Sequence, residues 1–185
     1  MPPDAWTIGH STMVLDDLAA ALRGHGIERV ADVRRYPASR RHPQFNRETL
    51  AEYLEARRIG YRWFEELGGR RGRTKATSPN LGIQVPAFRH YADYMQTPEF
   101  QRAFDELVAW MGKGCTALLC AEKLWWRCHR RLISDLLVVR GGTVRHVRDA
   151  ETAEEHALWE LAVATSEGVV YPPEQGELDL GRSRR

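Results

Sequence analysis

The chain has 185 residues, 43% of them apolar, enough to bury the core of one ordinary domain, and a second full domain is not expected. The formal net charge of +2 argues against a strong uniform field for nucleic acid, and the odd count of three cysteines argues against a secreted disulfide framework. No run of about 18 apolar residues occurs, and the opening Met1-Pro2-Pro3-Asp4 lacks the regions of a signal peptide, so a cytoplasmic protein without a membrane partner is expected.

In chain order, Ala5 to Gly9 reads as a buried strand, and an amphipathic helix follows (Leu15, Leu18, Ala19, Leu22) with Ser11 or Asp16 as its cap. Val30 to Val33 is a short apolar strand, and the prolines at 37 and 43 make Arg34 to Phe45 a loop. Asn46 caps a second helix that Gly60 stops, and Tyr61 to Phe64 is a third strand. Glu65 to Val85 is long, rich in Gly and Arg and without periodicity, the kind of segment that is functional or disordered.

Pro86 to Met95 reads as a helix, and Thr97-Pro98-Glu99 restarts another with a cap, a proline at the first position and an early acid. Thr116 to Cys120 is a strand of the fully buried kind. Cys128 to Val139 is a helix with Leu132, Ile133, Leu136 and Leu137 inward, and Val144 to Val147 is a strand. Strands alternating with helices predict a three-layer α/β fold, a mostly parallel sheet of about five strands with helices on both faces. The α/β domain is placed at residues 1–150. Residues 151–185 are expected to be a C-terminal helix, Glu151 to Ser166, and an irregular tail from Tyr171.

Ligands of such sheets bind beyond the carboxyl ends of the strands, where the winding changes direction. Three predicted strands end in Gly9-His10-Ser11, Asp32-Val33-Arg34 and Cys120-Ala121-Glu122. If the first and fourth strands are neighbours, these groups share one crevice.

Glu122 or Asp32 is then a candidate acid or base with His10 as its partner, and Cys120 a candidate nucleophile. Ser11, Arg34, Arg40, Tyr91, Trp126, Cys128, His129 and Arg130 are candidates for holding an anionic substrate, Arg by its planar fork and the opening of the Cys128 helix by its dipole. The competing account keeps Cys120 and Cys128 as packing residues and Asp32 and Arg34 as a loop brace. Two tryptophans between Cys120 and Arg127 argue against a tight phosphatase-type cradle; Cys120, Cys128, His129 and His10 could supply the sulfur and nitrogen ligands zinc prefers, but their spacing matches no established zinc motif, so no metal is assigned. Phosphate-binding loops of the G-x-x-x-x-G-K-[ST] and G-x-G-x-x-G kinds are lacking.

Thr7-Ile8-Gly9-His10-Ser11, Asp32-Val33-Arg34 with Pro37-x-Ser39-Arg40, Pro43-x-Phe45-Asn46, Leu67-Gly68-Gly69, Phe88-Arg89-x-Tyr91-Ala92-x-Tyr94-Met95, and Cys120-Ala121-Glu122 with Cys128-His129-Arg130 form one ordered set. Over about residues 5–148 this set resembles the DUF488 family, named as a domain of unknown function. The resemblance implies a compact bacterial-type cytoplasmic protein and carries over no catalytic residue. From the residues, the leading expectation is a hydrolase or group transferase acting on a phosphate-bearing nucleotide or nucleic-acid component, with no cofactor required by the sequence. The alternatives are a non-catalytic nucleic-acid-binding module that uses the Arg clusters and Trp125-Trp126, and a thiol or metal sensor built on Cys120 and Cys128.

Overall fold

A computed structural model describes residues 3–72 and 77–173. Its element order is β1 (Ala5–Gly9), α1 (Leu15–Gly24), β2 (Arg29–Asp32), α2 (Arg47–Glu55), β3 (Gly60–Trp63), α3 (Pro86–Met95), α4 (Pro98–Met111), β4 (Thr116–Cys120), α5 (Arg130–Val139), β5 (Val144–Val147), β6 (Ala153–Glu155), β7 (Val163–Thr165) and β8 (Gly168–Val170). One six-stranded sheet runs in the order β3-β2-β4-β1-β5-β6, parallel except for β6, and β7 and β8 form a separate hairpin. This is the three-layer α/β fold, with one strand more than expected.

The strands alternate apolar side chains between two cores. Ile8, Val30, Ala117 and Leu119 face α1 and α2, where they meet Leu18, Leu22, Leu50 and Leu54. Ala31 and Leu118 face the other layer, built from Tyr91, Phe100, Phe104 and Leu107 together with Leu132, Ile133, Leu136 and Leu137. Those four α5 residues are fully buried, each contributing about 1.5–3 kcal/mol relative to exposure.

The chain winds outward from β1 through β2 to β3, returns to β4, and then crosses β1 to reach β5. The winding therefore reverses between β4 and β1, which pair with Gly9 opposite Cys120. The crevice outside their carboxyl ends is the switch point of the sheet.

The helix ends follow local chemistry unevenly. Thr97 caps α4 as expected, its hydroxyl accepting from the Phe100 amide at 3.3 Å. The start of α1 falls at Val14, with no side-chain cap, rather than at Ser11 or Asp16. Asn46 occupies the position before α2 but turns its carbonyl to the Ser39 amide at 2.7 Å, bracing the Arg34–Phe45 loop instead. A 3-10 turn at Trp125–Arg127 delays α5 to Arg130.

The expected helix over 151–166 is not formed. Ala153–Glu155 instead adds β6 to the open edge of β5, and β7 and β8 follow. Helix propensity is overridden here by burial and pairing. His156 is 6% exposed and reaches Asp135 at 2.8 Å, and Trp159, Leu161 and Ala162 pack on the core. Tyr171, expected in the tail, is fully buried and donates its hydroxyl to Asp135 at 2.8 Å. The remainder of that tail, from 174 on, lies outside the described residues, as does the stretch 73–76.

A buried polar chain links this segment to the sheet. The Asp135 carboxylate accepts from His156 Nε2, from the Trp159 amide and from Tyr171. His156 Nδ1 meets His146 Nε2 at 3.0 Å, and His146 Nδ1 meets the Thr7 hydroxyl at 2.7 Å. Burial, then the neighbouring His156 and Arg130, hold the His146 pKa far below the usual imidazole range. A neutral His146 has one donor and one acceptor, so the chain runs in a single sense from Thr7 through both imidazoles to the carboxylate.

Candidate functional site

A cleft of about 670 Å³ opens at the switch point. It is walled by the ends of β1 (His10, Ser11) and β4 (Cys120 to Lys123), the Arg34–His42 loop, Gly69-Arg70, α3 (Phe88, Tyr91) and Arg127 to His129. The structure thus brings together His10, Ser11, Arg34, Tyr91, Cys120, Glu122, Cys128 and His129 from the sequence expectation. Asp32, Arg40, Trp126 and Arg130 do not line it.

Asp32 lies beneath the wall, fully buried, and is consumed by Arg34. Arg34 grips it with Nε on Oδ1 at 2.8 Å and Nη2 on Oδ2 at 2.5 Å, while the Tyr61 hydroxyl donates to Oδ2 at 2.7 Å. Burial and then the charge of Asp32 push the Tyr61 pKa well above its usual value. Arg34 also donates Nη1 to the Phe45 carbonyl at 2.8 Å, and although burial opposes its charge, Asp32 keeps its pKa raised. This ion pair braces the loop, and only a small part of Arg34 (7% exposed) faces the cleft.

His10 is stacked on Phe45 with ring centroids 4.0 Å apart. Its Nδ1 meets the Ser11 carbonyl at 3.1 Å, and its Nε2 faces Arg34 Nη1 at 3.3 Å. A carbonyl only accepts and a guanidinium only donates, so the ring carries its proton on Nδ1. Burial, then the Arg34 charge, lower its pKa from 6.5 to about 4.

Arg130 is 1% exposed and stands behind the cleft. It donates Nε to Cys128 Sγ at 3.3 Å, Nη1 to Thr7 at 3.5 Å, and Nη2 to the Glu122 carbonyl. A Cβ on Gly9 would come within 2.0 Å of that same carbonyl, so glycine is required for β1 to pass it. The Thr7–His146–His156–Asp135 chain therefore terminates, through Arg130, on the Cys128 sulfur.

Cys120, Cys128 and His129 form the floor. Burial pushes the Cys128 thiol up, but a hydrogen bond from Cys120 and the charges of His129 and Arg130 outweigh it and hold the pKa well below the usual thiol range. Cys120 moves the opposite way, raised by its hydrogen bond with Cys128 and then by burial. His129 Nε2 donates to the Val33 carbonyl at 2.8 Å, leaving Nδ1 directed at Cys128 Sγ, 3.5 Å away. Tyr91 packs edge-on against the His129 ring and donates its own hydroxyl to the Leu67 carbonyl.

The rim is cationic. Arg41, Arg70, Lys123 and Arg127 line the cleft and, among the described residues, have no carboxylate within ion-pair distance, whereas Arg34 and Arg35 pair with Asp32 and Glu65. Among the described residues, the one carboxylate on the lining is Glu122, which is solvent-exposed and accepts from the Leu124 amide at 3.2 Å. Ser11 and Arg70 both adopt positive φ, 43° and 58°, a conformation that costs about 1–3 kcal/mol outside glycine and gathers at functional sites. Among the tryptophans, Trp125 is turned inward, stacked on His146 at 4.0 Å, and Trp126 is 41% exposed but off the cleft.

Sequence reasoning singled out Arg34, Arg40 and Arg130 to hold an anion, whereas the rim cations are Arg41, Arg70, Lys123 and Arg127. Their signal was the arginine clustering, which does not tell a rim residue from its neighbours. The His146–His156–Asp135 chain left no local signal, since its members come from β5, the stretch after β6 and α5.

The family model described as Domain of unknown function DUF488 matches residues 14–137. That span runs from α1 into α5 and includes Cys120, Cys128, His129 and the rim cations. No curated protein and no solved structure matches the chain. Among the described residues, no helix is long and apolar enough to cross a membrane.

Proposed function

The chain belongs to the DUF488 family, a membership that brings no activity with it, and we therefore propose from the cleft itself that the protein is a hydrolase or group transferase acting on a phosphate-bearing substrate, a nucleotide or nucleic-acid component. The observation that carries this reading is the set of four cations, Arg41, Arg70, Lys123 and Arg127, that line one cleft without carboxylate partners among the described residues. Cations left uncompensated around a concave site suit an anionic ligand, and the guanidinium fork suits phosphate. Glu122, the exposed carboxylate among them, is assigned the proton-carrying role. His10, whose basic nitrogen is taken by Arg34, is assigned to shaping the wall.

The test is titration calorimetry of the full chain with inorganic phosphate and with a nucleoside 5′-monophosphate at two salt concentrations. Each charge-assisted contact is worth about 1.5–3 kcal/mol. Arg41→Ala and Arg127→Ala are therefore each expected to weaken binding roughly ten- to hundred-fold. Absence of binding, or binding indifferent to both changes, would overturn the proposal. Glu122→Gln should leave binding in place and abolish turnover once a substrate is found.

A further inference from the structure

We propose that Cys120, Cys128 and His129 are a binding site for a zinc-class divalent cation whose fourth coordination position opens into the cleft. The three ligand atoms lie within 4.8 Å of one another. Zinc bonds of about 2.3 Å to sulfur and 2.0–2.1 Å to nitrogen, at tetrahedral angles, separate a sulfur from a nitrogen by about 3.6 Å and two sulfurs by about 3.8 Å. The His129 Nδ1 to Cys128 Sγ distance is 3.5 Å. The other two separations, within 4.8 Å, exceed the tetrahedral values by about 1 Å at most.

The surroundings are those of a metal site. A ligating imidazole donates its other N–H to an acceptor that fixes tautomer and ring angle, and His129 Nε2 does this to the Val33 carbonyl at 2.8 Å. Arg130 Nε donates to Cys128 Sγ at 3.3 Å, an outer hydrogen bond that orients the thiolate and offsets its charge. Arg130 is held in turn by Thr7 and the Glu122 carbonyl. Room at the nitrogen is kept by Gly69, where a Cβ would stand 3.0 Å from His129 Nδ1.

Two thiolates and an imidazole select zinc over magnesium or calcium, which take oxygen ligands. With three protein ligands, the fourth position belongs to water or substrate, the arrangement of catalytic rather than structural zinc. All three residues line the cleft, so an ion there faces the cationic rim and would act as a Lewis acid on a bound oxygen. Spacing concealed this site. Cys120 ends β4 and Cys128 and His129 precede α5, eight residues on, brought together by the turn between them.

The inference stands apart from the phosphate reading, because the metal is read without substrate. Full-length protein is stripped with a chelator under reducing conditions and titrated with zinc against a chromophoric competitor, and in parallel with cobalt. One equivalent is expected, with proton release and, for cobalt, thiolate charge-transfer and tetrahedral ligand-field bands. Cys120→Ser, Cys128→Ser and His129→Ala should each lower affinity by more than the roughly 10–100-fold that loss of an outer partner costs. Cys115→Ser, at the opposite end of β4, should leave it unchanged. Independently of how the variants fold, the wild-type spectrum decides: cobalt uptake without thiolate bands, or less than one equivalent, overturns the site. Equal loss in Cys115→Ser does so as well.

Discussion

Replacing Asp32 by alanine isolates the ion pair under the cleft. Asp32 is fully buried and Arg34 is 7% exposed, so the change leaves a guanidinium in the interior with no counter-charge, and Tyr61 loses its acceptor. Breaking a buried pair from one side costs about 3–5 kcal/mol, because the abandoned charge keeps its desolvation penalty. For a chain of this size that is a fall in Tm of roughly 6–20 °C. Removing both partners, as Asp32→Ala with Arg34→Met, abolishes the stranded charge, and the double variant should be more stable than Asp32→Ala alone. The assay is reversible urea unfolding followed by tryptophan fluorescence, with the slope m compared across wild type, Asp32→Ala, Arg34→Met and the double variant to verify that the denatured state is unchanged. A cost below about 1 kcal/mol for Asp32→Ala, or strictly additive single changes, would refute the view that these residues act as one buried unit.

Three further outcomes are expected. His10 has a folded pKa lowered from 6.5 to about 4, so the unfolded chain binds the proton more readily. The stability this gives is complete above about pH 6.5 and is lost as pH falls toward 4, by about 3 kcal/mol. The stability advantage of wild type over His10→Gln should accordingly shrink over that interval in urea melts, and a constant difference would contradict it. Tyr171→Phe removes a donor from the buried Asp135 carboxylate and should cost about 1.5–3 kcal/mol, where a neutral result would show the hydroxyl bond to be worthless. Gly9→Ala forces a Cβ onto the Glu122 carbonyl and should cost at least about 1–3 kcal/mol while displacing Arg130, seen as changed amide shifts at residues 122–130; an unperturbed spectrum would count against the close approach.

Some of the molecule was readable from its sequence because the determinants are local. Apolar runs at Ala5–Gly9 and Thr116–Cys120 mark strands buried on both faces, and Leu132, Ile133, Leu136 and Leu137 fall on one face of α5 at helical spacing. Polar residues directly after those strands pointed to the cleft, since the carboxyl ends of a parallel sheet converge at its switch point. Three matters required the tertiary structure. The first is the fate of 151–166, where local helix preference loses to the open edge of β5 and to Asp135, groups that no window on that segment contains. The second is the division of labour among arginines: Arg34 and Arg130 are spent on Asp32, Thr7 and Cys128, while Arg41, Arg70 and Arg127 face the cleft. The third is the meeting of Cys120 with Cys128 and His129. Composition and periodicity record which groups a chain carries and which face of an element they occupy; which partners neutralise them is decided only when distant elements pack.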